Sequence, residues 1–118
     1  MKRFLVEFGT GADLHGGDVT KAAKKAVKDA ISHCCLCGIT EAVELKDSSK
    51  IHVKMKIGVP DPGKLDVEEL KAGIPFGSAE IEEVVVGGLS VKGMHVDAMG
   101  PGDQIIIANV ALTVWLDI

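Results

Sequence analysis

The chain has 118 residues, 47% hydrophobic and 25% charged, with a net charge of −4. That balance suits one domain, residues 1–118, with a sizeable core and excludes a disordered chain. Aromatic side chains are only 3% of the total, so a base-stacking surface is excluded and no nucleic-acid partner is expected.

Phe4, Val6 and Phe8 alternate along residues 2–8, which read as a strand ending at Gly9. Glu7 cuts this apolar run too early for a signal peptide. The stretch "GTGADLHGG", Gly9 to Gly17, follows as a loop, and Asp18 is an N-cap for the next element. Val19, Ala22, Ala23, Ala26, Val27, Ala30, Ile31 and Cys34 then recur every three or four residues, predicting an amphipathic helix closed by Gly38. Its alanine-rich face suits close packing on a sheet. Cys34, Cys35 and Cys37 cluster at the end of this helix, where they read as small buried residues rather than a disulfide framework or a zinc site, with Cys35 or Cys37 as a surface thiol the alternative.

Ile51, Val53, Met55, Ile57 and Val59 alternate with His52, Lys54 and Lys56, predicting a strand with one buried face and one basic face. The basic row is expected to pair with carboxylates such as Glu80 and Glu82, or alternatively to bind a substrate anion. Pro60-Asp61-Pro62-Gly63 stops the strand, and Asp66 with Glu69 caps a short helix over 67–72. Ile81 to Val86 is a β-branched strand, Leu89 to Gly102 reads as irregular, and Gln104 to Asp117 reads as a long strand apolar on both faces. Its apolar stretch, Ile105 to Leu116, is too short to cross a bilayer, so no membrane partner is expected and the expected location is cytoplasmic.

The predicted order is β-α-β-α-β-β, an α+β mixed sheet with two helices on one face and the final strand in a central position. Two helices cover only one face, so the other is expected to be buried by self-association, giving a homo-oligomer. This order resembles the fold of the AroH-type chorismate mutases and the YjgF-type enamine deaminases, which implies a trimer with ligand sites between subunits.

The candidate chemistry lies in the loops. Gly9, Gly11, Gly16 and Gly17 are candidate substrate-binding residues, because glycines allow close backbone approach and can present amides to an oxyanion. The loop lacks the Lys-Ser/Thr of a nucleotide-binding loop and the G-x-G-x-x-G spacing. Asp13 and His15 would point the same way in an extended segment, so His15 is the candidate acid–base residue and Asp13 its orienting carboxylate. His95 and Asp97 mirror this pair in the second loop and are candidate substrate-binding residues.

If the loops converge, Asp13, His15, His95 and Asp97 could instead hold a divalent metal such as Zn, Mn or Fe. The Asp13-x-His15 stretch is similar to the metal-binding G-x-D-x-H of the isoprenoid cyclodiphosphate synthases. Turn-forming roles for Asp13 and Asp97, with solvated histidines, are the plain alternative. Ser90 and Lys92 could act as nucleophile and base, or belong to an ordinary loop; the ring-opening amidohydrolases use such pairs in a comparable fold.

Gly9, Gly11, Asp13, His15 and Gly16 spell G-x-G-x-D-x-H-G, which resembles the signature of a small uncharacterised family with bacterial and plant members. "MKIGVP" and "VVVGGL" extend that resemblance along the chain, but it implies no reaction. The functional expectation is a small oligomer that binds or transforms a polar or anionic metabolite between the Gly9–Gly17 loop and the His95 loop. A divalent-metal-binding protein and a non-catalytic structural or regulatory oligomer are the alternatives.

Overall fold

Four small residues in α1 (Val19–Ser32) set the architecture: Ala22, Ala23, Ala26 and Ala30 are fully or almost fully buried against the sheet. The computed structural model describes residues Met1–Ile118. The strands are β1 (Lys2–Asp13), β2 (Ile51–Val59), β3 (Ser78–Val86), β4 (Leu89–Lys92) and β5 (Gln104–Leu116). Two short helices, α2 (Cys37–Glu41) and α3 (Val67–Lys71), complete the α+β domain.

The sheet order is β1-β5-β2-β3, with β4 also on β5. β5 is antiparallel to β1, β2 and β4, and only β2 and β3 run parallel, so the sheet is mixed. The central place expected for the last strand is the one it occupies. Along one edge of β5, β2 pairs as far as Asn109, and β4 takes over from Ile107 to Gln104.

The core lies between this sheet and the helices. Val53, Met55, Ile57 and Val59 of β2 and every second residue of β5 from Ile106 to Leu116 are buried under α1, Ile39 of α2 and Leu70 of α3. This alternation follows from the two-residue period of a strand. On the opposite face Lys54 pairs with Glu80 at 3.8 Å and Lys56 with Glu83 at 3.0 Å. The second partner is Glu83 instead of Glu82 because the β2–β3 register shifts between Met55 and Lys56.

Three expectations are corrected. β1 continues to Asp13, so Gly9 and Gly11 belong to the strand and not to a loop. The helix expected to reach Cys34 stops at Ser32, and Gly38 sits inside α2 instead of closing α1. Cys34, Cys35 and Cys37 are consequently exposed, because the chain has left the core before it reaches them. Finally, Leu89 to Lys92 is a strand despite its glycine-rich surroundings. Gly88, at φ +64°, turns the chain so tightly that an added Cβ would lie 1.9 Å from the Ile107 carbonyl oxygen.

Gly9 and Gly11 let α1 lie directly on β1. A Cβ at Gly9 would fall 2.0 Å from the Ala26 carbonyl oxygen, and one at Gly11 2.4 Å from that of Ala22. The helix also covers the outer edge of β1: Thr10 N–H donates to Asp29 at 2.9 Å, and Lys25 donates to the Ala12 carbonyl at 3.0 Å. At those two positions the edge has no group left to offer another strand.

Gly9→Ala is therefore expected to lower stability by about 3 kcal/mol, since backbone must move to admit the methyl group. Gly63→Ala, whose Cβ would meet only an Asp61 carboxylate oxygen at 3.6 Å, should stay within about 0.5 kcal/mol. Urea denaturation of both variants checks this; equal midpoints would contradict the close-packing account.

Candidate functional site

The end of β1 leads into the turn Leu14–Gly17. Asp13 is the last residue of the strand and only 6% exposed, on the helix-covered side. One of its carboxylate oxygens accepts the Asp18 N–H at 2.7 Å. Asp18 in turn accepts the Lys21 N–H at 3.1 Å, capping α1. Two successive aspartates thus tie strand, turn and helix together. Gly16 and Gly17 carry the φ values of +108° and +64° that this turn requires.

The strand ends at Asp13, and His15 lies in the turn beyond it. No hydrogen bond joins the two side chains: Asp13 accepts from Asp18, and His15 donates from Nδ1 to the Met94 carbonyl at 3.2 Å, across 79 residues of sequence. A Cβ on Gly16 would lie 3.3 Å from the Met99 carbonyl oxygen, and one on Gly100 3.2 Å from the Gly16 Cα. The two glycine-bearing loops are in contact.

His95 organises the second loop. Its Nδ1 donates to the Gly102 carbonyl at 2.8 Å and its Nε2 to the Asp97 carboxylate at 2.6 Å. Both partners can only accept, so both contacts are hydrogen bonds together only when each ring nitrogen carries hydrogen, and the pair favours the protonated ring. The Gly102 carbonyl first, then the Asp97 carboxylate, with the Asp103 charge added, push its pKa above 6.5 against the opposing cost of desolvation.

A polar cavity of about 340 Å³ lies beside the contact between the loops. Gly16 and Gly17 form one wall and Pro101, Gly102, Asp103 and Gln104 another, with Pro60, Asp61, Lys64 and Ser90 completing it. Lys64 is its only cation and lies 3.7 Å from the Asp61 carboxylate. Ser90 donates to the Gln104 side-chain oxygen at 3.0 Å.

Of the expected site residues, Gly16 and Gly17 reach this cavity, and His95 and Asp97 brace the loop that forms its far wall. Gly9 and Gly11 lie beneath α1 and do not line it. Asp13 and His15 hold the turn from behind. No three His, Cys, Asp or Glu side chains form a group that could hold a metal ion, so Asp13, His15 and His95 are not assembled as ligands within the chain. The reason is local: Asp13 is engaged by Asp18, and His95 by Asp97 and Gly102. Asp61 and Lys64 are cavity residues that sequence reasoning missed, since Pro60-Asp61-Pro62-Gly63 signals only a turn.

The chain belongs to the family described as Conserved hypothetical protein (Lin0512_fam), which matches residues 3–114. No curated protein matches it. A solved structure from Nostoc punctiforme PCC 73102, described as an FtsZ-like protein of unknown function, is similar, with 34% identity and a TM-score of 0.86. The match covers 98% of this chain and 95% of that one.

The His95 clamp has a defined pH dependence. Its folded pKa is raised, so its stabilising contribution is fully present below the ordinary value of 6.5 and is lost as pH rises through the folded value. Amide exchange from Met94 to Gly102, corrected for intrinsic rate, should accelerate across that window. Asp97→Asn should lower the His95 pKa measured by NMR titration. An unshifted His95 in the wild-type chain would contradict the clamp.

Proposed function

We propose that this chain binds a small polar metabolite in the cleft between the Gly16–Gly17 turn and the Pro101–Gln104 segment. The observation that carries this reading is the meeting of two sequence-distant glycine loops around a polar cavity that offers a hydroxyl, an amide, one cation and two carboxylates. Specificity in such a site comes from a few placed polar groups. With Lys64 opposed by Asp61 and Asp103, the lining favours a hydroxyl-rich or amine-bearing molecule over a highly charged anion. His15 and Asp13 serve this reading by positioning the turn, and it is a reading of binding.

A second proposal is self-association through the sheet face opposite α1. Phe8 is 72% exposed and Leu89 57%, and Val6 and Val91 are also exposed. Val6 and Phe8 sit opposite Thr113 and Ala111 of β5, and Leu89 and Val91 opposite Ile107 and Ile105, so all four share the uncovered face. The occupant we assign is a second copy of this chain. The Lys54–Glu80 and Lys56–Glu83 pairs neutralise the polar part of the same face, so two copies are not repelled there. Three copies are the number we propose.

Two measurements test these readings. In ¹H–¹⁵N NMR spectra with monosaccharides, polyols, amino acids and inorganic phosphate as probes, hydroxyl- or amine-bearing molecules should shift Gly16, Gly17, Ser90, Gly102 and Asp103. Ser90→Ala should weaken that binding about fivefold to tenfold, the effect of one hydrogen bond. Shifts by phosphate alone, or by no probe, would remove the proposal. In sedimentation velocity the wild-type chain should exceed monomer mass, and Phe8→Glu should return it to monomer; a monomeric wild-type chain would refute the assembly.

A further inference from the structure

A second cavity lies towards the other end of β5, where α1 has ended and only the turn before α2 covers the sheet. Its volume is about 330 Å³, within the range of small-molecule sites. Val53 of β2 and Leu112 and Val114 of β5, core residues elsewhere covered by α1, form its floor, and Ile74 and Phe76 close one side. The cavity follows from local structure: α2 has five residues and buries only Ile39, too little to fill the space beyond Ser32.

One carboxylate stands in this apolar wall. Glu7 of β1 lines the cavity, and its only hydrogen-bond partner is the thiol of Cys34 at the mouth. No Lys, Arg or His nitrogen lies within ion-pairing distance of it, whereas the Glu80 and Glu83 carboxylates on the other face each have a lysine. The hydrogen bond to Glu7 is the largest of the effects that push the Cys34 thiol up to about 11, so the thiol stays neutral and donates. A weak sulfur donor is therefore the only hydrogen-bond donor to this carboxylate.

We propose that this cavity binds a small hydrophobic monoamine, its ammonium on the Glu7 carboxylate and its hydrocarbon body over Val53, Leu112 and Val114. An ammonium replaces the weak thiol donor with a charge-assisted hydrogen bond. The apolar floor rewards a hydrocarbon body by removing it from water. A neutral isostere gains only the second term, and an anion of the same shape is repelled by Glu7. The site is separate from the polar cleft and shares no lining residue with it.

The test uses isothermal titration of the full chain with three isosteric probes: 2-phenylethylamine, 2-phenylethanol and phenylacetate. The amine should bind saturably, the alcohol about tenfold more weakly, and phenylacetate not at all. Amine binding should shift the methyl resonances of Val53, Leu112 and Val114 in NMR spectra. Glu7→Gln should bring the amine down to the affinity of the alcohol and leave the alcohol unchanged. Should that variant fail to fold, the ranking of the three probes on the wild-type chain decides the matter alone. Equal affinity for amine and alcohol, methyl shifts elsewhere, or no binding by any probe would overturn the proposal.

Discussion

The rest of the structure depends on the direct contact between α1 and β1. The helix backbone at Ala22 and Ala26 sits where side chains of Gly9 and Gly11 would otherwise stand. A contact this close is specific to small residues, and it cannot slide by one strand position without driving a larger side chain into the helix. It fixes where α1 begins, and hence where the Asp13–Asp18 link and the Gly16–Gly17 turn must lie. It also brings Lys25 and Asp29 to the outer edge of β1, where they satisfy the Ala12 carbonyl and the Thr10 N–H.

The candidate cleft is a consequence of strand register. In the β1–β5 ladder Asp13 lies opposite Ile106, so the turn that leaves β1 and the loop that enters β5 emerge side by side. Their contact needs no long-range coincidence; antiparallel pairing of these two strands dictates it. The glycines then decide how near the loops come, since Gly16 and Gly100 approach closely enough that neither position has free room for a side chain. The His95 ring, bonded to Gly102 and Asp97, ties the second loop to itself beside this contact.

Coverage of the sheet is uneven, and the surface features follow from that unevenness. One long helix and two single-turn helices cover one face, and nothing in the chain covers the other. Where α1 stops short of the sheet's end an apolar cavity opens, and on the uncovered face Phe8 and Leu89 stand in solvent. The buried Trp115 indole N–H on that face has no partner within the chain, although Lys54 lies 5.3 Å from the ring.

Much of this was legible in the residues alone. The α+β class, the buried row of β2, the central β5, the Asp18 and Asp66 caps and the uncovered apolar face all follow from periodicity and local capping, which act over a few residues. The candidate site was legible only as a pair of loops. Gly9 and Gly11 look like loop glycines until α1 is seen lying on them, and Asp13 and His15 look in phase until the strand ends between them. Asp61 and Lys64 join the cleft through a turn that carries no chemical signature. Local hydrogen bonding and alternation are written in neighbouring residues, so the sequence determined the elements and most of their faces. Register, helix-to-strand distance and the meeting of loops 79 residues apart depend on how those faces pack, and only the tertiary structure decided them.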